Sequence, residues 1–237
     1  MVRIKVREIM IALYAVKTPT CIENLIYKEL LHSISLKKQK RILMYAKRED
    51  TYKTLIADML IRTIICSKYS HIKNHDLNFN YNMYGKPSVE NLYFPFNVSH
   101  SGDWVVCAVH RFPIGVDIEK IQPIDLNIAE HFFTKQEYEY LFQMKDHKEQ
   151  LNYFYQIWTI KESYVKAIGK GLSSPILNSF KIGEDNEQVA NWFIKQYMID
   201  GLYWLSVCAK TSEFPQYIDH QLDFSQLYNL YKQVKNN

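Results

Sequence analysis

From Ile114 onward, apolar Ile114, Val116 and Ile118 alternate with Gly115, Asp117 and Glu119. This period of two marks a strand with one face in a core and predicts a strand over 114–121. The period then changes. Leu151, Phe154, Ile157 and Val165 fall on one arc at helical spacing, beside a row of Trp158, Glu162 and Lys166. A helix over Lys148–Ile168 follows from that pattern, stopped where Gly169 suits a left-handed C-terminal cap. Before it, Thr134-x-x-Glu137 is a capping box that opens another helix. Strands are expected at Phe180–Ile182, Trp192–Met198 and Leu202–Ala209, and a short helix carrying Leu227, Tyr231 and Val234 in the polar stretch beyond Lys210.

The earlier part of the chain has the same ingredients. A continuous apolar run, 9–16, reads as a buried strand. Ser35–Tyr45 reads as a short helix, and Asp50–Tyr69 as a longer one with Leu55, Met59, Leu60 and Ile64 on one side. Tyr84-Gly85-Lys86-Pro87 is a turn signal, and a strand follows at Val105–Val109. Trp104-Val-Val106-Cys107-Ala108 resembles Trp204-Leu-Ser-Val207-Cys208-Ala209. The strand at 9–16 matches that at 114–121, and the helix at 50–69 matches that at 148–168. The expected fold class is α+β: a pseudo-two-fold repeat of two similar lobes, each with a long helix packed on a small antiparallel sheet. Ligand sites favour the seam between such halves.

Composition changes this picture little. At 237 residues and 47% apolar content the chain can bury a core, and a net charge of +4 permits an anionic ligand without announcing nucleic acid or an anionic membrane. Neither is an expected partner. Cys66, Cys107 and Cys208 sit in apolar segments, and none of the four cysteines forms a C-x-x-C. They read as small core residues in a reducing compartment. The run at 9–16 is too short to span a bilayer, and no small-residue cleavage site follows it. A cytoplasmic protein is expected.

The candidate chemistry lies in a few polar groups. Asp117 and Glu119 share a strand face with Cα atoms roughly 6.5–7 Å apart, close enough for two hard oxygen donors to converge on one Mg²⁺. A solvated sheet face would carry the same residues. Glu162 and Lys166 stand on the margin of the apolar helix face, where a core opens into a cleft; four residues apart, they would also serve as simple helix support. Lys37, Lys38, Lys40 and Arg41, with Lys53 at the start of the next helix, form either a solvated face or a landing surface for a multiply phosphorylated ligand. Ser99-His100-Ser101 is read as a phosphate-contacting turn or an ordinary one. It is not read as a nucleophilic pair, because adjacent residues on a strand point to opposite faces.

Tyr84-Gly85-Lys86-Pro87, Asn97-Val-Ser99-His100-Ser101, Gly115-Val-Asp117-Ile-Glu119, Phe132-Phe133-Thr134 and Trp158-Thr-Ile-Lys161-Glu162-Ser-Tyr-Val-Lys166, with Gly169-Lys-Gly171-Leu172, stand in order. Together they resemble a 4′-phosphopantetheinyl transferase of the two-lobed Sfp type, the sort that activates peptide-synthetase carrier domains in antibiotic biosynthesis. The resemblance covers about residues 10 to 210. It implies transfer of the phosphopantetheine arm of coenzyme A to a serine of an apo carrier protein, with release of 3′,5′-adenosine bisphosphate. By motif position, Asp117, Glu119 and Glu162 would hold Mg²⁺, and Glu162 would act as base. Lys166, with Lys161 nearby, would neutralise phosphate charge. Lys38, Arg41, Lys53, Lys86, Ser99 and His100 would hold the nucleotide end.

The implied division is an N-terminal lobe at 1–110 for the nucleotide, a C-terminal lobe at 111–210 for metal and catalysis, and a stretch at 211–237 without an assigned role. A monomer is expected. Glu137 is open between helix cap and active-site carboxylate, and the segment 124–133 between carrier docking and core packing. The rivals are another Mg²⁺-dependent phosphoryl enzyme, such as a nucleotide hydrolase, and a coenzyme A or carrier-binding module without activity.

Overall fold

The computed structural model describes residues 10–171, 177, 180, 188–189 and 191–235. In chain order the elements are β1 (Ala12–Lys17), α1 (Asn24–His32), α2 (Leu36–Leu43), α3 (Arg48–Lys68), β2 (Phe79–Tyr81), β3 (Pro87–Val89), β4 (Phe96–Ser101), β5 (Trp104–Val109) and β6 (Ile114–Lys120). They continue with α4 (Ala129–Phe132), α5 (Lys135–Gln143), α6 (His147–Ile168), β7 (Gln188–Val189), β8 (Trp192–Ile199), β9 (Tyr203–Ala209), β10 (His220–Asp223) and α7 (Phe224–Lys235). The fold is mixed α+β. Expected residues Ile9, Leu172, Lys181 and Ile182 lie outside the described ones.

Two four-stranded sheets form the centre. One runs β10-β1-β5-β4, the other β6-β9-β8-β7, and β2 and β3 make a separate hairpin. Burial on both faces explains why β1 and β5 read as nearly continuous apolar runs, whereas β6 alternates. Leu13, Ala15, Val106 and Ala108 of the first sheet meet Val116, Ile118, Leu205 and Val207 of the second in one core layer. Tyr14, Val16, Val105 and Cys107 face the other way, onto Ile56, Met59 and Leu60 of α3 and Leu227 and Tyr231 of α7. A third layer packs Phe154, Ile157 and Ile160 of α6 on Ile194 and Cys208 of the second sheet. The strands are buried on both faces because a sheet lies on one side and helices on the other.

The stretch after residue 210 is more than a polar tail. β10 adds to the first sheet in parallel beside β1, and Tyr228 and Lys235 of α7 both bond the Glu29 carboxylate of α1. Ser99-His100-Ser101 also differs from the expected turn. It is the end of strand β4, paired with β5 through Ser99–Val106 and His100–Val105. The local caps agree with expectation. Thr134 and Glu137 form a reciprocal capping box at α5, and Gly169 ends α6 in the left-handed region at φ 71°.

Candidate active site

Pleating puts Gly115, Asp117 and Glu119 of β6 on the face that meets α6. Gly115 sets how close the helix lies. A Cβ there would collide with the Ser163 carbonyl and the Ala167 amide of α6, so only glycine permits this approach. Two positions further along the same face, Asp117 meets Lys166, with Nζ 2.6 Å from Oδ1. Asp117 and Glu162 are 2% and 5% exposed.

The other wall is β4, joined to the β6 edge by its side chains. Asn97 Oδ1 accepts from the Val116 amide at 2.8 Å, Ser99 Oγ from the Ile118 amide at 3.4 Å, and Ser101 Oγ from the Lys120 amide at 3.1 Å. Three alternating side chains thus serve three alternating amides that would otherwise lack partners at a sheet edge. The hydroxyls then turn their protons to the carboxylates: Ser99 donates to Asp117 Oδ1 at 2.9 Å and Ser101 to Glu119 Oε2 at 2.7 Å. Ser99 also accepts from Lys166 at 3.0 Å. Its hydroxyl is therefore committed to the carboxylate wall.

Negative charge exceeds its partners here. Burial pushes the Asp117 carboxyl up against the pull of Lys166 and Ser99. Burial and then Asp117 push Glu119 up to about 7, and the same two causes push Glu162 up to about 7. Burial alone would lower Lys166, but Asp117, Glu162 and Glu119 hold its ammonium charged. Asp117 Oδ2 and Glu162 Oε1 are buried and find no hydrogen-bond partner. Such orphaned oxygens are costly unless something completes them. They are hard donors of the type Mg²⁺ takes. Among the described residues, however, no three His, Cys, Asp or Glu side chains are already drawn together as a metal cluster.

One cavity adjoins this cluster, and a second lies next to the first. The first, of about 220 Å³, is lined by Tyr84, Asn97, Glu162 and Lys166. The other, of about 270 Å³, is lined by Lys38, Arg41, Thr54, Tyr81 and His100, and both share Gly85, Pro87 and Val98. Lys38 bonds Asp58 at 2.6 Å, and Arg41 lies over the Tyr81 ring at 5.9 Å. Lys53 pairs with Asp50 at 3.2 Å. The His100 ring is held below the ordinary histidine value, first by its crowding in the cavity and then by Lys53 and Lys166.

Two family descriptions match the chain: "4′-phosphopantetheinyl transferase, N-terminal" over residues 21–111, and "4′-phosphopantetheinyl transferase superfamily" over residues 113–210. The chain is 42% identical to the 4′-phosphopantetheinyl transferase ffp of Bacillus subtilis over 198 residues, 79% of this chain and 87% of that protein. It is also 42% identical to the 4′-phosphopantetheinyl transferase Sfp of Bacillus subtilis (strain 168), over 77% of this chain and 85% of that one. A third relative, 4′-phosphopantetheinyl transferase gsp of Aneurinibacillus migulanus, is again 42% identical, over 76% and 74%. The chain belongs to the 4′-phosphopantetheinyl transferases.

In this transferase the two matched regions join between β5 and β6, the strand that carries Asp117 and Glu119. Of the expected site residues, Lys161 stands elsewhere, while Lys86 lines the cavity with Glu162 and Lys166. Lys161 is 1% exposed, and its ammonium lies on Glu137 at 2.9 Å and on the Leu177 carbonyl at 2.6 Å, away from the cluster. Five helix positions separate it from Lys166, which turns it about 140° around the axis. Lys86 spends its ammonium on three backbone carbonyls, of Ile114, Lys166 and Ala167. Glu137 caps α5 and neutralises Lys161 with the same oxygen. In the segment 124–133, Leu126, Ala129 and Phe133 are buried in the third core layer, while Ile124 is exposed.

Reading the sequence missed Asn97 and Ser101 as carboxylate-wall residues, although the period of Asn97-x-Ser99-x-Ser101 matches that of Gly115-x-Asp117-x-Glu119. It also missed the buried Asp58, whose i, i+4 spacing to Arg62 was the available signal. Among the described residues no helix is long and apolar enough to cross a membrane.

Proposed function

We propose that this transferase takes the 4′-phosphopantetheine arm from coenzyme A and joins it to a serine hydroxyl of an apo carrier protein, releasing 3′,5′-adenosine bisphosphate. The observation that carries the reading is the cluster of Asp117, Glu119, Glu162 and Lys166, where two buried carboxylate oxygens lack partners beside a cavity that shares Gly85, Pro87 and Val98 with a second one lined by Lys38 and Arg41. A diphosphate with a further phosphate at its nucleotide end is the kind of ligand that such a pair of cavities suits. Lys38, Arg41 and His100 are the proposed contacts for the nucleotide end. Lys38 and Lys53, already paired with Asp58 and Asp50, would have to share or exchange those partners.

Asp117, Glu119 and Glu162 would hold Mg²⁺, which when bound would offset charge on the diphosphate. Glu162 would take the serine proton, directly or through a water. The serine oxygen then bonds to the β-phosphorus as the bridging P–O bond breaks, and the electron pair leaves with adenosine bisphosphate. Lys166 neutralises the oxygen charge that develops. Ser99 and Ser101 keep the carboxylates aimed, and Gly115 keeps the helix close enough for them to be shared.

We propose in addition that the chain divides into an N-terminal lobe at 1–110 and a C-terminal lobe at 111–210, related by a pseudo-two-fold, with 211–237 lying beyond the repeat. The strand order β1-β5-β4 recurs as β6-β9-β8, and one long helix covers each sheet, which supports this. A monomer acting in the cytoplasm on peptidyl, acyl or aryl carrier domains completes the reading.

Incubation with apo carrier proteins, coenzyme A and Mg²⁺ tests it by intact-mass spectrometry. The carrier should gain the mass of one phosphopantetheine arm. Release of phosphate or adenosine bisphosphate without a carrier would favour a nucleotide hydrolase. No gain with any carrier in a broad panel, despite coenzyme A binding, would favour a binding module.

A further inference from the structure

An α-helix leaves its last carbonyls without partners inside the helix. In α6 the Gly169 and Lys170 amides reach back to the Lys166 and Val165 carbonyls, and the turn of the β2–β3 hairpin adds donors from outside. Lys86 Nζ donates to the Lys166 carbonyl at 2.5 Å and the Ala167 carbonyl at 3.2 Å, and to the Ile114 carbonyl of β6 at 3.1 Å. Asn82 Nδ2 donates to the Gly169 carbonyl at 2.9 Å. The same Asn82 accepts the Tyr84 and Lys86 amides on Oδ1, both at 2.9 Å, and so shapes the turn that carries Lys86. Gly85 in that turn has φ 84°, a conformation that favours glycine.

A lysine ammonium has three donors. Three carbonyls fill them, so Lys86 has no proton left for a phosphate. Its positive charge also stands at the negative end of the α6 dipole. Burial lowers the Lys86 ammonium to about 8, as expected of a cation enclosed among carbonyls. One residue connects this cap to the chemistry: Lys166 gives its carbonyl to Lys86 and its ammonium to Asp117.

We infer that Asn82 and Lys86 are positioning residues, a clamp that sets the last turn of α6 and thereby holds Lys166 against Asp117. The inference rests on the role proposed above for Lys166. Hydrogen–deuterium exchange separates its failure from the failure of that reading, because the readout needs no turnover. In Lys86→Met, amides of residues 165–170 should exchange faster by roughly tenfold or more, the scale of one lost hydrogen bond to a charged group. With a competent carrier, kcat should fall while KM for coenzyme A stays near wild type. Asn82→Ala should move both readouts the same way by less, and it carries the test if Lys86→Met does not fold. Unchanged exchange in the last turn would overturn the inference. So would faster exchange with unchanged kcat, which makes the clamp structural only. A raised KM with kcat held would return Lys86 to the ligand contacts.

Discussion

The two long helices each bury a carboxylate near cations, and they treat it in opposite ways. On α3, both Asp58 oxygens are taken: Lys38 holds Oδ1 at 2.6 Å and Arg62 holds Oδ2 at 2.5 Å, with a further Arg62 bond to the Asn74 carbonyl. That network is closed. Beside α6, Asp117, Glu119 and Glu162 gather around the single ammonium of Lys166, and one oxygen each of Asp117 and Glu162 is left without a partner. The difference teaches that burying a charge is not what makes a site. A closed network spends its bonds on the fold, whereas an open one keeps acceptor capacity for a ligand.

Substitutions should separate the two. Asp58→Asn takes the partner from buried Arg62 and half-buried Lys38, and chemical denaturation should show about 3 kcal/mol or more of lost stability, with any change in transfer falling on KM for coenzyme A and kcat close to wild type. Asp117→Asn and Glu162→Gln should do the reverse. Transfer should fall about 100-fold, the scale of removing one electrostatic stabiliser, while stability is held or gained because like charges are relieved. Equal stability losses at Asp58 and Glu162 would erase the contrast. Gly115→Ala tests the contact that brings β6 to α6. Overpacking against backbone should cost about 2 kcal/mol and lower transfer, with Lys166 displaced.

The smallest effect is in the pH dependence of the metal-free protein. Glu119 and Glu162 titrate near 7 in the folded chain, above their ordinary value, so the folded state holds more protons than the unfolded one between about 4.3 and 7. Their contribution is therefore full below that window and is lost as pH rises through about 7. The melting temperature of Glu162→Gln should fall less than that of wild type between pH 5.5 and 8. Parallel curves would show no surplus of charge beside α6.

Much of this was legible because it is local. The alternation at 114–118, the α6 arc, the Thr134 capping box and the Gly169 cap each depend on residues within a turn or two, and each stands where its pattern put it. The carboxylate wall was harder. Asn97, Ser99 and Ser101 are poor strand formers by composition, and their purpose lies in the edge of β6, nineteen positions further on. β10 was missed because four residues pair with β1 across almost the whole chain. The misplacement of Lys161 was avoidable, since helical angle alone turns it from Lys166. Lys86 was not readable in this way, because its partners are carbonyls that every residue type supplies.

The open cluster can be examined directly by diffraction from crystals grown with coenzyme A and Mn²⁺ in place of Mg²⁺. An anomalous peak in contact with Asp117 and Glu162, bridging to the diphosphate, is the predicted result. Those carboxylates still facing Lys166 alone, with the diphosphate bound and no ion between them, would contradict it.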